Sequence, residues 1–255
     1  MKVIMVTTSL LIASAVIVGI FVGAVGVGGV LLIPSLMTFA GLSIHEAAAT
    51  ALFTFLFTGI LGSSLYGRRG SLQWRIAIPV CAGALLLSFV GALVGSLIAG
   101  RALTWVVAAI LAGAGLYIVW PTNHSASRIE GRRKPAKLAT LLGVGALSGF
   151  GAGVSGAGGP LFSVPLMLGL HFDPLIAVGI GQIVQVAASL SGSLGNLGTG
   201  NIRYGVALPV TLAELTGVIV GVRIAHAAQA AQLKYAAALL CVASAIGLLV
   251  KSFAG

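Results

Sequence analysis

The sequence has very few charged residues, and that scarcity decides its class. It contains 4 Asp and Glu and 14 Lys and Arg, so 7% of its 255 residues are charged, against roughly 25% in soluble domains. A surface in contact with water cannot be built from so few charges. With 58% hydrophobic residues and a mean hydropathy of +1.14, the chain is predicted to be an all-α polytopic membrane protein within a lipid bilayer.

Other scarcities exclude further classes of protein. The two cysteines, Cys81 and Cys241, lie in apolar runs and are interpreted as packing residues. No P-loop Lys follows the glycines, and His45-Glu46 lacks the second His of a zinc protease, so we expect no enzyme, cofactor or metal. The net charge of +10 comes from loops between apolar runs, as the positive-inside rule produces, and nucleic-acid binding is not expected.

Eight apolar runs approach the ~20 residues that a helix needs to cross a bilayer. They are Val3–Val22, Glu46–Leu65, Ile76–Ala99, Leu103–Trp120, Leu138–Gly153, Leu175–Leu197, Val206–Ala225 and Leu233–Val250. The first run continues past a signal-peptide-like Ala13-Ser14-Ala15 and is interpreted as a retained span. Two shorter pieces, Gly28–Ala40 and Gly158–Leu170, follow glycine-rich breaks and are predicted to be re-entrant or broken helices.

The chain is predicted to contain two homologous repeats of four or five helical segments each. Matched residues recur at an offset of 130: Gly28-Gly29 with Gly158-Gly159, Gly70 with Gly200, Pro79 with Pro209, Gly91 with Gly221, and Trp105 with Tyr235. The predicted units are a first membrane repeat at 1–120, a basic cytoplasmic linker at 121–137 and a second membrane repeat at 138–255.

The relative orientation of the two repeats is left open by the charges. Parallel copies place 11 Lys and Arg on the side of the linker and 3 on the other, and inverted copies place 10 and 4. We favour inverted repeats slightly, because broken helices that meet at the midplane commonly accompany that symmetry.

The motif Gly23-x-x-Gly26-x-Gly28-Gly29, repeated as Gly153-x-x-Gly156-x-Gly158-Gly159, indicates an anion site. Glycines break the helix and expose backbone N–H groups, and a helix that resumes afterwards adds a partial positive charge at its N-terminus. The alternative is close helix packing of the small-xxx-small kind. We expect Gly28, Gly29, Gly158 and Gly159 to hold a small anionic substrate.

Two polar stripes are predicted to line a path to this site. The first lies on one helical face and comprises Gln182, Gln185, Ser189, Ser193 and Asn196; the second comprises Thr50, Thr54 and Thr58. Gln182, Gln185 and Thr54 are the predicted side-chain donors to the substrate. The alternative is hydrogen bonding that only holds the helices together.

Glu214 is an acidic residue inside an apolar run, eight residues before Arg223. Such a residue is costly in a membrane and is a functional hypothesis by default. Glu214 is predicted to carry a proton for coupling, and a structural pair with a base or a backbone group is the alternative.

These features favour a secondary transporter of small anions, with a passive anion channel as the alternative. Gly153-Val154-Ser155-Gly156 also matches the GxSG of rhomboid proteases, with His226 as a base, but the first copy has Val25 in place of Ser155. An intramembrane serine protease is therefore the least favoured interpretation.

Over nearly its whole length, from about Val6 to Val250, the sequence resembles the sulfite exporter TauE/SafE family. The resemblance rests on the doubled glycine motif, on the Pro34 and Pro165 that follow it, and on Gly70 and Gly200. It implies transport of sulfur oxyanions or organosulfonates (the sulfite and sulfoacetate class) across the cell's inner membrane, with export coupled to an ion or proton gradient. It does not fix the anion, and a homodimer is left open.

Overall fold

The structure is a computed structural model that describes residues 2–26, 28–119, 137–227, 239, 242–243 and 245–250. These residues are helical apart from short connections, which confirms the predicted all-α class. The elements are α1 (Lys2–Val25), a 3₁₀ turn (Gly28–Leu31), α2 (Leu32–Phe39), α3 (Ile44–Arg68), α4 (Trp74–Leu97), α5 (Gly100–Val119), α6 (Leu138–Ser155), α7 (Pro160–Gly169), α8 (Pro174–Leu197) and α9 (Tyr204–His226).

The long helices confirm the predicted multi-pass character. Within the described residues, 6 helices are long and apolar enough to cross a membrane: α1, α3, α4, α6, α8 and α9. The predicted run Leu103–Trp120 lies in α5 as far as Val119, and both predicted short pieces form short helices. Half of the run Leu233–Val250 lies outside the described residues, as do Tyr235 and all of the 121–137 linker except Lys137.

Local sequence signals set several helix starts. Ser43 and Glu46 form a capping box at the start of α3, with the Ser43 side chain accepting from the Glu46 N–H and the Glu46 carboxylate accepting from the Ser43 N–H. Asp173 caps α8 by accepting from the Leu175 N–H at 2.9 Å. These caps satisfy N–H groups that no helical carbonyl can reach.

The outer surface of the bundle is apolar. Large exposed side chains lie along α4 and α9, namely Ile78, Leu85, Leu86, Phe89, Leu93 and Leu97 on α4 and Leu208, Leu212, Ile219 and Val220 on α9. Water would not tolerate such a continuous apolar surface, whereas lipid chains are its natural solvent. These two helices therefore present faces suited to the bilayer.

Close glycine contacts set the directions of two helix pairs. A β-carbon at Gly19 or Gly23 of α1 would collide with the carbonyl of Glu214 or Val218 of α9. Both partner numbers rise by four together, so α1 and α9 run in the same direction. The same reasoning applies to α6 and α4, where glycines of α6 meet Ala84 and Ser88 of α4.

The central pair, α3 and α8, runs antiparallel. Gly59 of α3 meets Val186 of α8, while Gly192, later in α8, meets Leu52, which is earlier in α3. Thr50, early in α3, accepts from the N–H of Arg203 just before α9, and Arg69, just after α3, donates to Val222 late in α9, so α3 and α9 are parallel. Helices α1, α3 and α9 thus run one way, and α4, α6 and α8 run the other.

Contacts recur at the 130-residue offset between helices of opposite direction. Gly19 contacts Glu214, and Gly149 contacts Ala84. Gly149 is the counterpart of Gly19 at this offset, and Glu214 is the counterpart of Ala84. Because α1 and α3 run the same way, the chain between them returns through the bundle as the 3₁₀ turn and α2. The first short piece therefore carries the chain from the end of α1 back to the start of α3.

The bundle has an upper end and a lower end. The upper end carries the connections at 69–73 and 170–173 and the ends of α5 and α9; the lower end carries those at 40–43, 98–99 and 198–203. The start of α6 places Lys137, the last residue of the predicted linker, at the upper end.

Candidate functional site

Both glycine motifs break the chain where the sequence analysis places them. Helix α1 ends before Gly26, which has φ +79°, and α6 ends before Gly156 at φ +70°, with Gly158 at φ +86°. Residues with a β-carbon rarely adopt this left-handed region, so the breaks require glycine. The backbone can therefore leave one helix and begin another within a few residues.

The two breaks meet inside the bundle. A β-carbon at Gly29 would lie 2.8 Å from the Ala157 carbonyl oxygen, so the backbones are in direct contact. From this meeting point the first short helix runs to the lower end and α7 runs to the upper end, so their N-termini converge. Among the described residues, no acceptor is found for the amides of Gly28, Gly29, Gly158 and Gly159. Exposed helix N-termini of this kind carry partial positive charge.

The ring of Phe55 fills the space between the breaks. It is fully buried, and a β-carbon would lie 3.0 Å from its Cζ if placed on Gly29 and 3.3 Å from its Cδ2 if placed on Gly158. The sequence analysis missed Phe55. It stands 130 positions before Gln185, so aligning the repeats would have drawn attention to it.

Gln182 and Gln185 lie beside the breaks, but their amides bond to the protein. Gln182 Nε2 donates to the Val22 carbonyl at 2.9 Å. Gln185 Nε2 donates to the Phe55 carbonyl at 3.1 Å and to Thr58 Oγ1 at 2.8 Å. Both predicted donors are thus close to the glycines, and in this state they link α8 to α1 and α3.

Thr54 lies beside Glu214, and no hydrogen bond joins it to Gln185. Its Oγ1 donates to the Ala51 carbonyl of its own helix at 2.9 Å, and its hydroxyl also lies by the Glu214 carboxyl group. Glu214 is fully buried, and neither carboxyl oxygen has a hydrogen-bond partner among the described residues. Arg223, the nearest base along α9, is exposed and does not pair with it. Glu214 thus lies on α9 beside Thr54 of α3, one turn of α3 before Thr58, which bonds with Gln185.

A column of polar side chains follows the inner face of α8. Three buried hydroxyls beside or on this helix have no hydrogen-bond partner among the described residues: Ser163 of α7 and Ser189 and Ser193 of α8. Buried hydroxyls are normally satisfied, and each exception calls for an explanation. Of these three, Ser163 was missed by the sequence analysis, because it lies outside the two stripes.

The column reaches an open pocket at the lower end. The pocket is partly open to solvent, and the empty space of about 260 Å³ within it includes that open solvent. Its lining residues come from five helices and the α8–α9 connection: His45, Ala48, Ala49, Ala92, Gly95, Ser96, Leu103, Gly153, Val154, Asn196 and Asn201. Asn196 ends the α8 stripe, so Ser193 and Ser189 lie between the pocket and Gln185.

The comparisons with known proteins agree with this architecture. A family model described as "Sulfite exporter TauE/SafE" matches residues 11–248. The chain belongs to the sulfite exporter TauE/SafE family. It is 27% identical to the "Probable membrane transporter protein YdhB" of Bacillus subtilis, over 84% of this chain and 89% of that protein. It is 25% identical to a "Probable membrane transporter protein" of Methanocaldococcus jannaschii, over 84% of this chain and 86% of that one. No solved structure matches the chain.

Membership of a TauE/SafE family of membrane transporters makes this chain a transporter and not an enzyme. The geometry agrees, because Ser155 and His226 are not partners. Ser155 Oγ donates to the Gly151 carbonyl at 2.6 Å and accepts from the Ala157 N–H, so it caps the break. His226 ends α9 at the upper end and bonds with Ser71. Among the described residues, no group of three His, Cys, Asp or Glu side chains could hold a metal ion.

Proposed function

We propose that this TauE/SafE protein is a secondary transporter of small anions, with sulfur oxyanions or organosulfonates as the substrate class. The observation that carries the proposal is the convergence of two helix N-termini, with unpaired backbone amides, at a point flanked by unpartnered buried hydroxyls. Backbone N–H groups and hydroxyls donate to an anion's oxygens and carry no full positive charge.

Neutral donors suit transport because the anion must also leave. The described basic residues stand at the two ends of the bundle: Arg68, Arg69, Arg75, Lys137 and Arg223 at the upper end, and Arg101 and Arg203 at the lower. A hydrogen bond to a charged group contributes roughly 1.5–3 kcal/mol. Several such bonds give selective binding, whereas a buried full charge would slow release.

In this proposal the substrate moves between the breaks and the lower pocket along the inner face of α8. At the breaks it meets the amides of Gly158 and Gly159 beside Gln185, and between the breaks and the pocket it passes Ser189 and Ser193. The Phe55 ring then turns away from the breaks, and the Gln185 amide exchanges its bond to the Phe55 carbonyl for one to the anion. The predicted donors Gln182, Gln185 and Thr54 thus act in a substrate-bound state.

Glu214 couples transport to a proton gradient in this proposal. A buried carboxylate without a partner is strongly disfavoured, so Glu214 is suited to exchange a proton as its surroundings change. Thr54 links it to the helix that carries Phe55, and movement of α3 would alter both. On the basis of that linkage we propose that the proton gradient drives export.

Flux measurements in reconstituted vesicles test the proposal. We expect radiolabelled sulfite flux to saturate with concentration and to respond to an imposed pH gradient. Gly158→Ala should lower the flux strongly, because its φ of +86° strains any residue with a β-carbon. Gly198→Ala is the matched control, with a helical φ of −71° and nothing within 4 Å. Single-channel currents, or flux that does not saturate, would reject the carrier and favour a passive anion channel.

The orientation in the inner membrane has a separate test. The linker 121–137 is proposed to be cytoplasmic, which places the upper end inside and the lower end outside. In intact cells, an impermeant thiol reagent should label a cysteine at Thr199, which follows α8 at the lower end, and should not label one at Ser125 in the linker. The reverse pattern would overturn the orientation.

A further inference from the structure

The upper end of the bundle is closed by a cluster around Tyr66. Its ring is fully buried, and its hydroxyl donates to the Gly23 carbonyl at 2.9 Å, where α1 nears its break. The ring also packs on His226, with the two centroids 5.0 Å apart. His226 Nε2 bonds with Ser71 Oγ at 3.3 Å. The cluster therefore joins α1, α3 and α9 above the first glycine break.

A second link reinforces this closure. Arg69 Nη1 donates to the Val222 carbonyl of α9 at 2.9 Å. Since Glu214 lies eight residues before Val222 in α9, the end of α3 is bonded to the helix that holds the buried acid. The upper ends of α3 and α9 are thus held together by polar contacts between side chains and backbone.

The counterparts of these residues in the second half line the open pocket. Residues 130 positions apart correspond in the two halves. Three residues of the upper cluster have counterparts later in the chain: Tyr66 pairs with Asn196, Gly23 with Gly153 and Ser71 with Asn201. Two have counterparts earlier in the chain: His226 pairs with Ser96 and Val222 with Ala92. All five counterparts line the lower pocket. The Tyr66 cluster and the lower pocket are therefore equivalent regions of the two halves, and the first is closed while the second is open.

The lower residues do not make the contacts that close the upper end. Asn196 Nδ2 donates to the Gly192 carbonyl of its own helix at 3.0 Å, whereas its counterpart Tyr66 reaches across to α1. Ser96 Oγ likewise donates within its own helix, to Leu93. Asn196 and Ser96 are thus satisfied within their own helices and do not bridge to a neighbouring helix.

We propose that the Tyr66 cluster and the lower pocket are the two gates of the transport path, and that the structure is the state closed above and open below. This inference rests on the proposed function as a carrier. In the opposite state the contacts of the Tyr66 cluster break. Asn196, Asn201 and Ser96 then pack against Gly153, as their counterparts pack against Gly23 in the state seen here. The upper gate has an aromatic ring and an Arg where the lower has shorter polar side chains, so the state seen here is the resting one.

Cysteine accessibility tests the gates without a substrate. In a full-length protein with Cys81 and Cys241 replaced by Ala, one reporter is Ser96→Cys in the lower pocket. The other is Ala225→Cys, a buried position whose counterpart Gly95 lines the pocket. With N-ethylmaleimide on membranes, we expect the lower cysteine to react readily and the upper one to be protected.

Tyr66→Phe should shift this balance, because it removes the hydroxyl bond to Gly23 and keeps the ring. The loss of one neutral hydrogen bond corresponds to about a two- to tenfold change in the equilibrium between states. Labelling at Ala225→Cys should therefore rise by that factor, and labelling at Ser96→Cys should fall. Tyr204→Phe is the matched control, since its ring is half exposed at the lower end and only packs on Phe53.

The outcomes separate this inference from the proposed function. Equal reactivity of both reporters in the parent protein, or an unchanged ratio in Tyr66→Phe, would overturn the gates even if sulfite flux is normal. Opposite shifts at the two reporters would support them even if sulfite proves to be the wrong anion. Size-exclusion elution of each variant shows that it is folded before labelling is compared.

Discussion

Ser189 offers the sharpest test of whether the polar stripe of α8 is a path or only holds the helices together. Its hydroxyl is buried and has no partner among the described residues. Two positions along the same helix, Ser191 Oγ donates to the Leu85 carbonyl of α4 at 2.5 Å. The two serines therefore differ in bonding while they share a helix, a residue type and a depth in the bundle.

The substitutions Ser189→Ala and Ser191→Ala should have opposite effects on stability. An unsatisfied buried polar group costs about 1–3 kcal/mol, so removing the Ser189 hydroxyl should leave the protein as stable or more stable. Ser191→Ala loses a hydrogen bond between helices and should be less stable by about 0.5–1.5 kcal/mol. At about 2–4 °C per kcal/mol, thermal unfolding in detergent resolves the difference.

Transport should show the reverse pattern. If Ser189 donates to the passing anion, Ser189→Ala should raise the half-saturation concentration for sulfite by about one to two decades. Ser191→Ala should leave it unchanged, because that hydroxyl faces α4. If Ser189→Ala unfolds earlier than the parent protein and transports with normal half-saturation, the stripe only holds the helices together and the path is wrong.

Two further predictions follow from single positions. Glu214→Gln should fold and should lose the response of flux to a pH gradient. The control Glu46→Gln, which removes a surface ion pair with Arg203, should keep that response. If Glu214→Gln still responds to the pH gradient, the coupling role of Glu214 is wrong. Gly149→Ala should lower the unfolding temperature by overpacking worth about 1–3 kcal/mol, because its β-carbon would collide with the Ala84 carbonyl. Gly143→Ala, with nothing within 4 Å on the same helix, should be neutral or stabilise by about 0.5–1 kcal/mol, and equal losses in both would contradict the contact.

The sequence alone determined the class of this protein, its helical runs and its two breaks. Lipid as solvent demands an apolar surface and internally bonded backbone, so a chain with 7% charged residues has few alternatives to membrane helices. The breaks at Gly26 and Gly156 could also be predicted from the sequence. A left-handed backbone conformation is a property of a single position, and glycine adopts it without steric cost. These features depend on solvent and on residues close together in the chain.

Only the tertiary structure decided how the polar residues are used. The two glutamines and Thr54 looked alike as donors, yet Gln185 binds α3, Gln182 binds the end of α1, and Thr54 bonds within its own helix. Phe55 gave no signal as a site residue, because its importance comes from two glycines brought against it from distant segments. The difference between Tyr66, which is bonded across helices, and Asn196, which is not, also arises only from packing. Burial and hydrogen bonds between helices depend on how the helices pack against each other, so the sequence of one helix cannot predict them.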